Sequence, residues 1–146
     1  MVVFMVNSNE NIIKEIAENL DCGNDCYYNQ KTNEIIAIPN FSQVMDDEEF
    51  KKAFKGDIKK IKSQKADYIK FEVLESIESF KIMERFVDQL PDENYKSELE
   101  NILQRKSPFG NFKHSINHSN FRQNWFDFKQ NELELIVEEL LRLRKA

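Results

Sequence analysis

From Ile77 to Leu90 the apolar residues Ile77, Phe80, Met83, Phe86, Val87 and Leu90 recur three and four positions apart, then stop at Pro91. That is one face of a helix ended by a residue that disfavours helix at the position before it. Two start signals follow. Asp92 can cap a helix with Tyr95, Leu99, Ile102 and Leu103 facing inward, and Ser107-Pro108 opens another with Phe109, Phe112 and Ile116 on its buried face. Ser119 or Asn120 can cap a last helical region, where Phe121, Trp125 and Phe128 are continued by Leu133, Ile136, Val137, Leu140 and Leu141. Lys129 to Asn131 leave open whether that region is one helix or two. Such a half-chain has to stack helices on helices.

The first half reads differently. Ile12, Ile13, Ile16, Ala17 and Leu20 form a helical stripe after the candidate caps Ser8 and Asn9 and before Gly23, which suits a left-handed stop. Residues 26–29 and 34–38 are rich in strand formers and flank Gln30-Lys31-Thr32-Asn33, where Asn33 can take positive φ, so they predict a hairpin. Asp46, Asp47, Glu48 and Glu49 suit the start of a helix presenting Phe50, Phe54, Ile58 and Ile61, and Lys59, Lys60 and Lys62 suit its end. Residues 68–73 alternate weakly and predict a third strand beside the hairpin. The expected fold class is α+β and helix-dominated, a small antiparallel sheet packed against about six helices. Residues 1–146 are expected to form a single globular domain, which at this length buries enough surface without a disulfide or metal staple.

Composition excludes several classes. Gly and Pro occur three times each against 40% apolar residues, which argues against disorder and collagen. The net charge of -5 repels nucleic acid and anionic membranes from the molecule as a whole, so any such contact must be local. Cys22 and Cys26 are too few for a secreted disulfide scaffold, which points to a reducing cytoplasm. The apolar run Met1 to Val6 lacks a basic flank and is too short for a signal or a membrane span; it is expected to be a strand or a buried tail.

Reactive groups are sparse. Cys22-x3-Cys26 and His114-x3-His118 offer four zinc-compatible ligands, and a histidine pair at i, i+4 can grip one ion, but the two pairs lie too far apart in sequence for a shared zinc module. Helical spacing turns both histidines away from Phe109 toward solvent. Carboxylates at 46–49 and at Glu72, Glu75 and Glu78 fit a dipole-matched helix start and a solvated face. Gly23, Gly56 and Gly110 are isolated, so no phosphate loop or dinucleotide fingerprint is present. No catalytic residue, cofactor or metal is assigned. Residues 105–129 stand out, with Arg105, Lys106, Lys113, Arg122 and Lys129 against Asp127 alone, a net of 5 minus 1, or +4. Phe109, Phe112, Phe121, Trp125, Phe126 and Phe128 are interleaved with these cations. Cations for phosphates beside rings for bases are what single-strand binding needs, yet helical spacing places most of these rings on core faces. Phe126 fits the apolar face least and is the candidate exposed contact.

Tyr27-Tyr28-Asn29 with Thr32-Asn33-Glu34-Ile35-Ile36 is followed by Tyr68-Ile69, by Ile82-Met83-Glu84-Arg85-Phe86-Val87, by Phe109-x-x-Phe112-Lys113 and by Trp125-Phe126-x-Phe128. This succession resembles the uncharacterised bacterial family UPF0158 over residues 10–141. Asn33 departs from the Gly of a Thr-Gly-Glu turn common in the family, and Glu139 stands where a Trp often precedes Leu140. The resemblance implies a cytoplasmic bacterial protein and supplies no activity, cofactor or catalytic residue.

The leading expectation is therefore a non-enzymatic binding or regulatory protein with an unknown protein partner and no membrane association. One alternative is RNA or single-stranded DNA binding through Arg105, Lys106, Phe109, Lys113, Arg122, Trp125 and Phe126. A second is a small metal-assisted hydrolase or transferase built on carboxylates. Met1 to Val6 or an unused face of the last helix could also pair two copies as a homodimer.

Overall fold

A computed structural model describes the backbone of residues 2–40 and 48–145, and side chains from Asn9 onward except those of Phe50 and Lys145. Among the described residues, seven α-helices and one three-stranded antiparallel sheet make a helix-dominated α+β protein. The order is α1 (Val2–Asp21), β1 (Asn24–Asn29), β2 (Ile35–Pro39), α2 (Glu48–Ala53), α3 (Lys55–Ser63), a 3-10 turn (Lys65–Asp67), β3 (Tyr68–Phe71), α4 (Ser76–Asp88), α5 (Glu93–Leu103), α6 (Pro108–Asn117) and α7 (Arg122–Lys145). These fall into two compact units, residues 1–73 with 133–146, and residues 74–132.

In the first unit the chain leaves α1 through Gly23 at φ +88°, the left-handed stop that glycine takes without a Cβ penalty. The hairpin forms as expected, with Tyr27 opposite Ile36, and β3 pairs with the other side of β1, giving the strand order β2-β1-β3. Cys26, Tyr28, Ile69 and Phe71 share one buried face, and the Cys26 Sγ, 3.9 Å from the Ile16 carbonyl oxygen, marks α1 as its cover. Ile36 and Ile38 point to the opposite face and are also buried. The unbroken apolar run of β2 thus reflects a strand covered on both sides. Leu133, Val137 and Leu141 of α7 complete this unit's buried set.

Several expectations need correction here. Met1 to Val6 was expected to be a strand or a buried tail, but α1 begins at Val2, so residues 2–6 are helical and Ser8 and Asn9 lie inside the helix instead of capping it. Burial of that run lies outside the described side chains. The helix expected from Phe50 to Ile61 is two helices, which accounts for seven in place of about six. Phe54 breaks it at φ −106°, ψ 10°, and its carbonyl accepts from the Ile58 amide at 2.9 Å to begin α3. Gly56, a poor helix former, makes this its weakest point. Asp46 and Asp47 lie outside the described residues; Glu48 and Glu49 occupy the first turn of α2, where the dipole favours them.

In the second unit, Ile82, Met83, Phe86, Val87, Leu90, Leu99, Phe112, Ile116 and Trp125 form one buried cluster. The Asp92 carboxylate accepts from the Tyr95 amide at 3.0 Å and caps α5 as expected. Ser107 precedes α6 in the left-handed region at φ 54° and contributes no side-chain cap; its carbonyl receives the Asn111 amide at 3.2 Å. Ile77 is 62% exposed, against expectation. At 100° per residue it lies about 180° from Phe86, so three-residue spacing carried it off the buried stripe. The last region is one helix, unbroken at Lys129 to Asn131.

Candidate functional site

The basic and aromatic segment 105–129 spans the α5–α6 turn, α6 and the first turns of α7. Its rings mostly fill the interior. Phe112 and Trp125 are buried and meet edge-on with centroids 4.9 Å apart, while Phe86 lies 5.3 Å from Trp125 and 6.5 Å from Phe112. Such tilted pairings place the positive edge of one ring against the negative face of another. Phe128 is 5.4 Å from Phe86, Phe121 stacks on Tyr95 at 5.5 Å, and the half-buried Phe109 meets Phe80 edge-on at 6.2 Å. Of the Phe and Trp rings of the segment only Phe126 is exposed, as its poor fit to the apolar face suggested.

The cations take the other side. Arg105, Lys106 and Lys113 are exposed, and no ion pair with a described residue holds them. The Asn111 side-chain amide donates to the Lys106 carbonyl at 3.1 Å and fixes the turn that carries both Arg105 and Lys106. The Arg122 guanidinium lies 5.0 Å from the Phe126 ring centroid, a cation–π contact at the surface, and the Lys129 ammonium lies 5.8 Å from that of Trp125. Asp127, the lone acid of the segment, accepts from Gln123 at 2.9 Å. Of the residues singled out in the sequence, Arg105, Lys106, Lys113, Arg122 and Phe126 reach solvent, whereas Trp125 is buried and Phe109 packs against the core. The segment can attract an anion. It does not offer a row of open rings for bases.

Elsewhere the ionisable groups are tied into the framework. The Glu34 carboxylate receives the Lys60 ammonium at 2.8 Å and the Tyr68 hydroxyl at 3.0 Å, linking the hairpin turn to α3 and β3. The Lys60 bond, then that from Tyr68, hold Glu34 below the usual carboxylate range, and Glu34 in turn raises Lys60. Asp25 accepts from the Val73 amide at 2.9 Å and Asn40 at 3.1 Å, anchoring the chain after β3. Burial, aided by the Asp25 and Glu15 charges, pushes the Cys26 thiol up to about 12, so it stays protonated and unreactive at neutral pH. Cys22 is exposed. Among the described residues no group of three or more His, Cys, Asp or Glu side chains is placed to hold a metal ion.

Sequence reasoning missed the most specific polar device. Asn29 is 2% exposed, and its side-chain oxygen accepts from the Lys31 amide at 2.8 Å and the Thr32 amide at 3.1 Å, closing an Asx turn at the head of the hairpin. The signal was an Asn ending a strand just before a turn.

A model of the uncharacterised protein family UPF0158 matches residues 4–146, nearly the whole chain. The chain belongs to UPF0158. No curated protein and no solved structure matches it. Asn33 sits at φ 64° and its side-chain oxygen accepts from the Tyr28 hydroxyl at 2.7 Å. Asn tolerates this left-handed backbone and adds a bond that Gly cannot make. Glu139 is exposed and paired with Arg142. Among the described residues no helix is long and apolar enough to cross a membrane.

Proposed function

We propose that this UPF0158 member is a non-enzymatic binding or regulatory protein of the bacterial cytoplasm, which meets a protein partner with an acidic surface through the cations of residues 105–129. One observation carries the reading: the Phe and Trp rings of the segment other than Phe126 are spent on packing, while Arg105, Lys106 and Lys113 stand in solvent without an ion pair to any described residue. Exposed charges of one sign steer encounter and choose partners more than they stabilise a fold. The test compares the wild type with a variant in which Arg105, Lys106, Lys113 and Arg122 are all changed to Gln. The wild type retains a partner that salt releases, and the variant folds but loses it. Turnover in a broad hydrolase and transferase screen that survives stringent purification would count against the reading.

The same cations, without an ion pair to any described residue, favour a second reading, an RNA or single-stranded DNA contact carried by phosphates with Phe126 as the exposed phenyl ring beside them. Affinity for a labelled oligonucleotide then falls steeply between about 50 and 200 mM salt as counterions compete. No binding at the low end rejects it. Homodimerisation is separable from both by light scattering of the purified chain.

A further inference from the structure

The histidines of α6 form an arrangement that neither reading uses. His114 lies in the last turn of α6 and His118 at its C-cap, both exposed. Their ring centroids are 4.5 Å apart with planes inclined at 44°, and the Nδ1 of His118 lies 2.7 Å from the carbonyl oxygen of His114. A carbonyl oxygen can only accept, so this Nδ1 carries a proton, and in the neutral ring the free lone pair belongs to Nε2. Metal-ligating histidines are fixed in the same way, by a hydrogen bond from the second ring nitrogen to an acceptor.

The spacing matches a chelate. Imidazole nitrogens bind transition ions at about 2.0–2.1 Å, and the ring centre lies about 1.1 Å behind the nitrogen, so each centroid would sit about 3.2 Å from a shared ion. Two such rings in neighbouring positions of a square-planar or octahedral set subtend about 90° at the ion, which separates their centroids by about 4.5 Å. The observed separation is the same.

We propose that His114 and His118 chelate one divalent transition-metal ion of the imidazole-binding kind, Cu²⁺ or Ni²⁺, through one nitrogen of each ring. Among the described residues no third His, Cys, Asp or Glu joins them, so the remaining coordination positions are open to water or to a donor from another molecule. The pair is therefore an open, exchangeable site and not a structural staple. Neutral nitrogen donors without a carboxylate leave Mg²⁺ and Ca²⁺ unbound.

Calorimetric titration of untagged, chelator-treated protein with Cu²⁺, Ni²⁺ and Mg²⁺ tests this, in the wild type and in Cys22→Ser, which removes the exposed thiol as a competing ligand. The expected result in both is one ion per chain, Cu²⁺ tighter than Ni²⁺, and no Mg²⁺. His114→Ala or His118→Ala, each confirmed as folded by circular dichroism, weakens binding by roughly 10²-fold or more, because one remaining ring has no chelate partner. In ¹⁵N-histidine spectra with Zn²⁺, the Nε2 signal of His118 moves more than its Nδ1. Absence of saturable binding overturns the proposal, and so does binding that persists when both histidines are alanine or that vanishes in Cys22→Ser.

Discussion

Phe112 and Lys113 are adjacent in the chain and should differ as sharply as two residues can. The Phe112 ring is fully buried, edge-on to Trp125 at 4.9 Å and tilted against Phe86 at 6.5 Å, while Lys113 is exposed on the same helix. Truncating a buried phenylalanine to alanine costs about 3–5 kcal/mol, cavity included, and each aromatic pairing accounts for about 0.5–1.5 kcal/mol of that loss. Set against a total of about 5–15 kcal/mol, this is a large share of the stability. With a urea dependence of about 1–3 kcal/mol per molar, Phe112→Ala lowers the unfolding midpoint by about 1 M or more. Lys113→Ala changes stability by no more than about 0.5 kcal/mol. The assay is urea unfolding followed by fluorescence, and Trp125, the single tryptophan, reports from inside the affected cluster. A Phe112→Ala midpoint within about 0.3 M of the wild type would refute the packing argument, since a ring removed at so little cost was not filling an interior.

Asn33→Ala should lose about 1–3 kcal/mol, combining left-handed strain with the lost Tyr28 bond of 2.7 Å; Asn33→Gly should lie within about 1 kcal/mol of wild type, because relieved strain offsets that bond. Equal losses for both in chemical denaturation would contradict this. A thiol reagent at neutral pH should titrate Cys22 in the folded protein and reach Cys26 only on unfolding, given a Cys26 pKa of about 12; two thiols reacting at one rate would contradict the burial. Glu34 has a folded pKa below its unfolded one, so its contribution is present above the unfolded carboxylate pKa and fades as pH falls through the folded value. Glu34→Gln should therefore flatten the acid side of the stability profile, and identical profiles would show that the bonds to Lys60 and Tyr68 contribute nothing.

Sequence patterning revealed the elements that rest on local rules. Gly23 at a helix stop, Asn33 in a tight turn, Asp92 as a cap and Pro108 at a first turn each have a residue-level cause and each appear in the structure. What stayed hidden depends on long-range partners. Nothing in the order of strands announced that β3 would join β1 instead of extending from β2, because pairing is set by tertiary packing. Continuity of α7 was obscured because its apolar stripe changes face: Trp125 and Phe128 lie on one side, whereas Val137 and Leu141 are rotated from both by more than a quarter turn. For the candidate site, the sequence distinguished Phe126 from its neighbours correctly as the exposed ring, but composition alone grouped the buried Trp125 with the exposed cations. Only coordinates separate a ring that packs from one that contacts.

Collisional quenching of Trp125 by acrylamide puts the division between inward rings and outward cations to its most direct test. With the indole 5% exposed and enclosed by Phe86 and Phe112, emission should be blue-shifted and quenching weak until the chain is unfolded. Emission and quenching in the folded protein like those of free indole would place this ring at the surface and overturn the account.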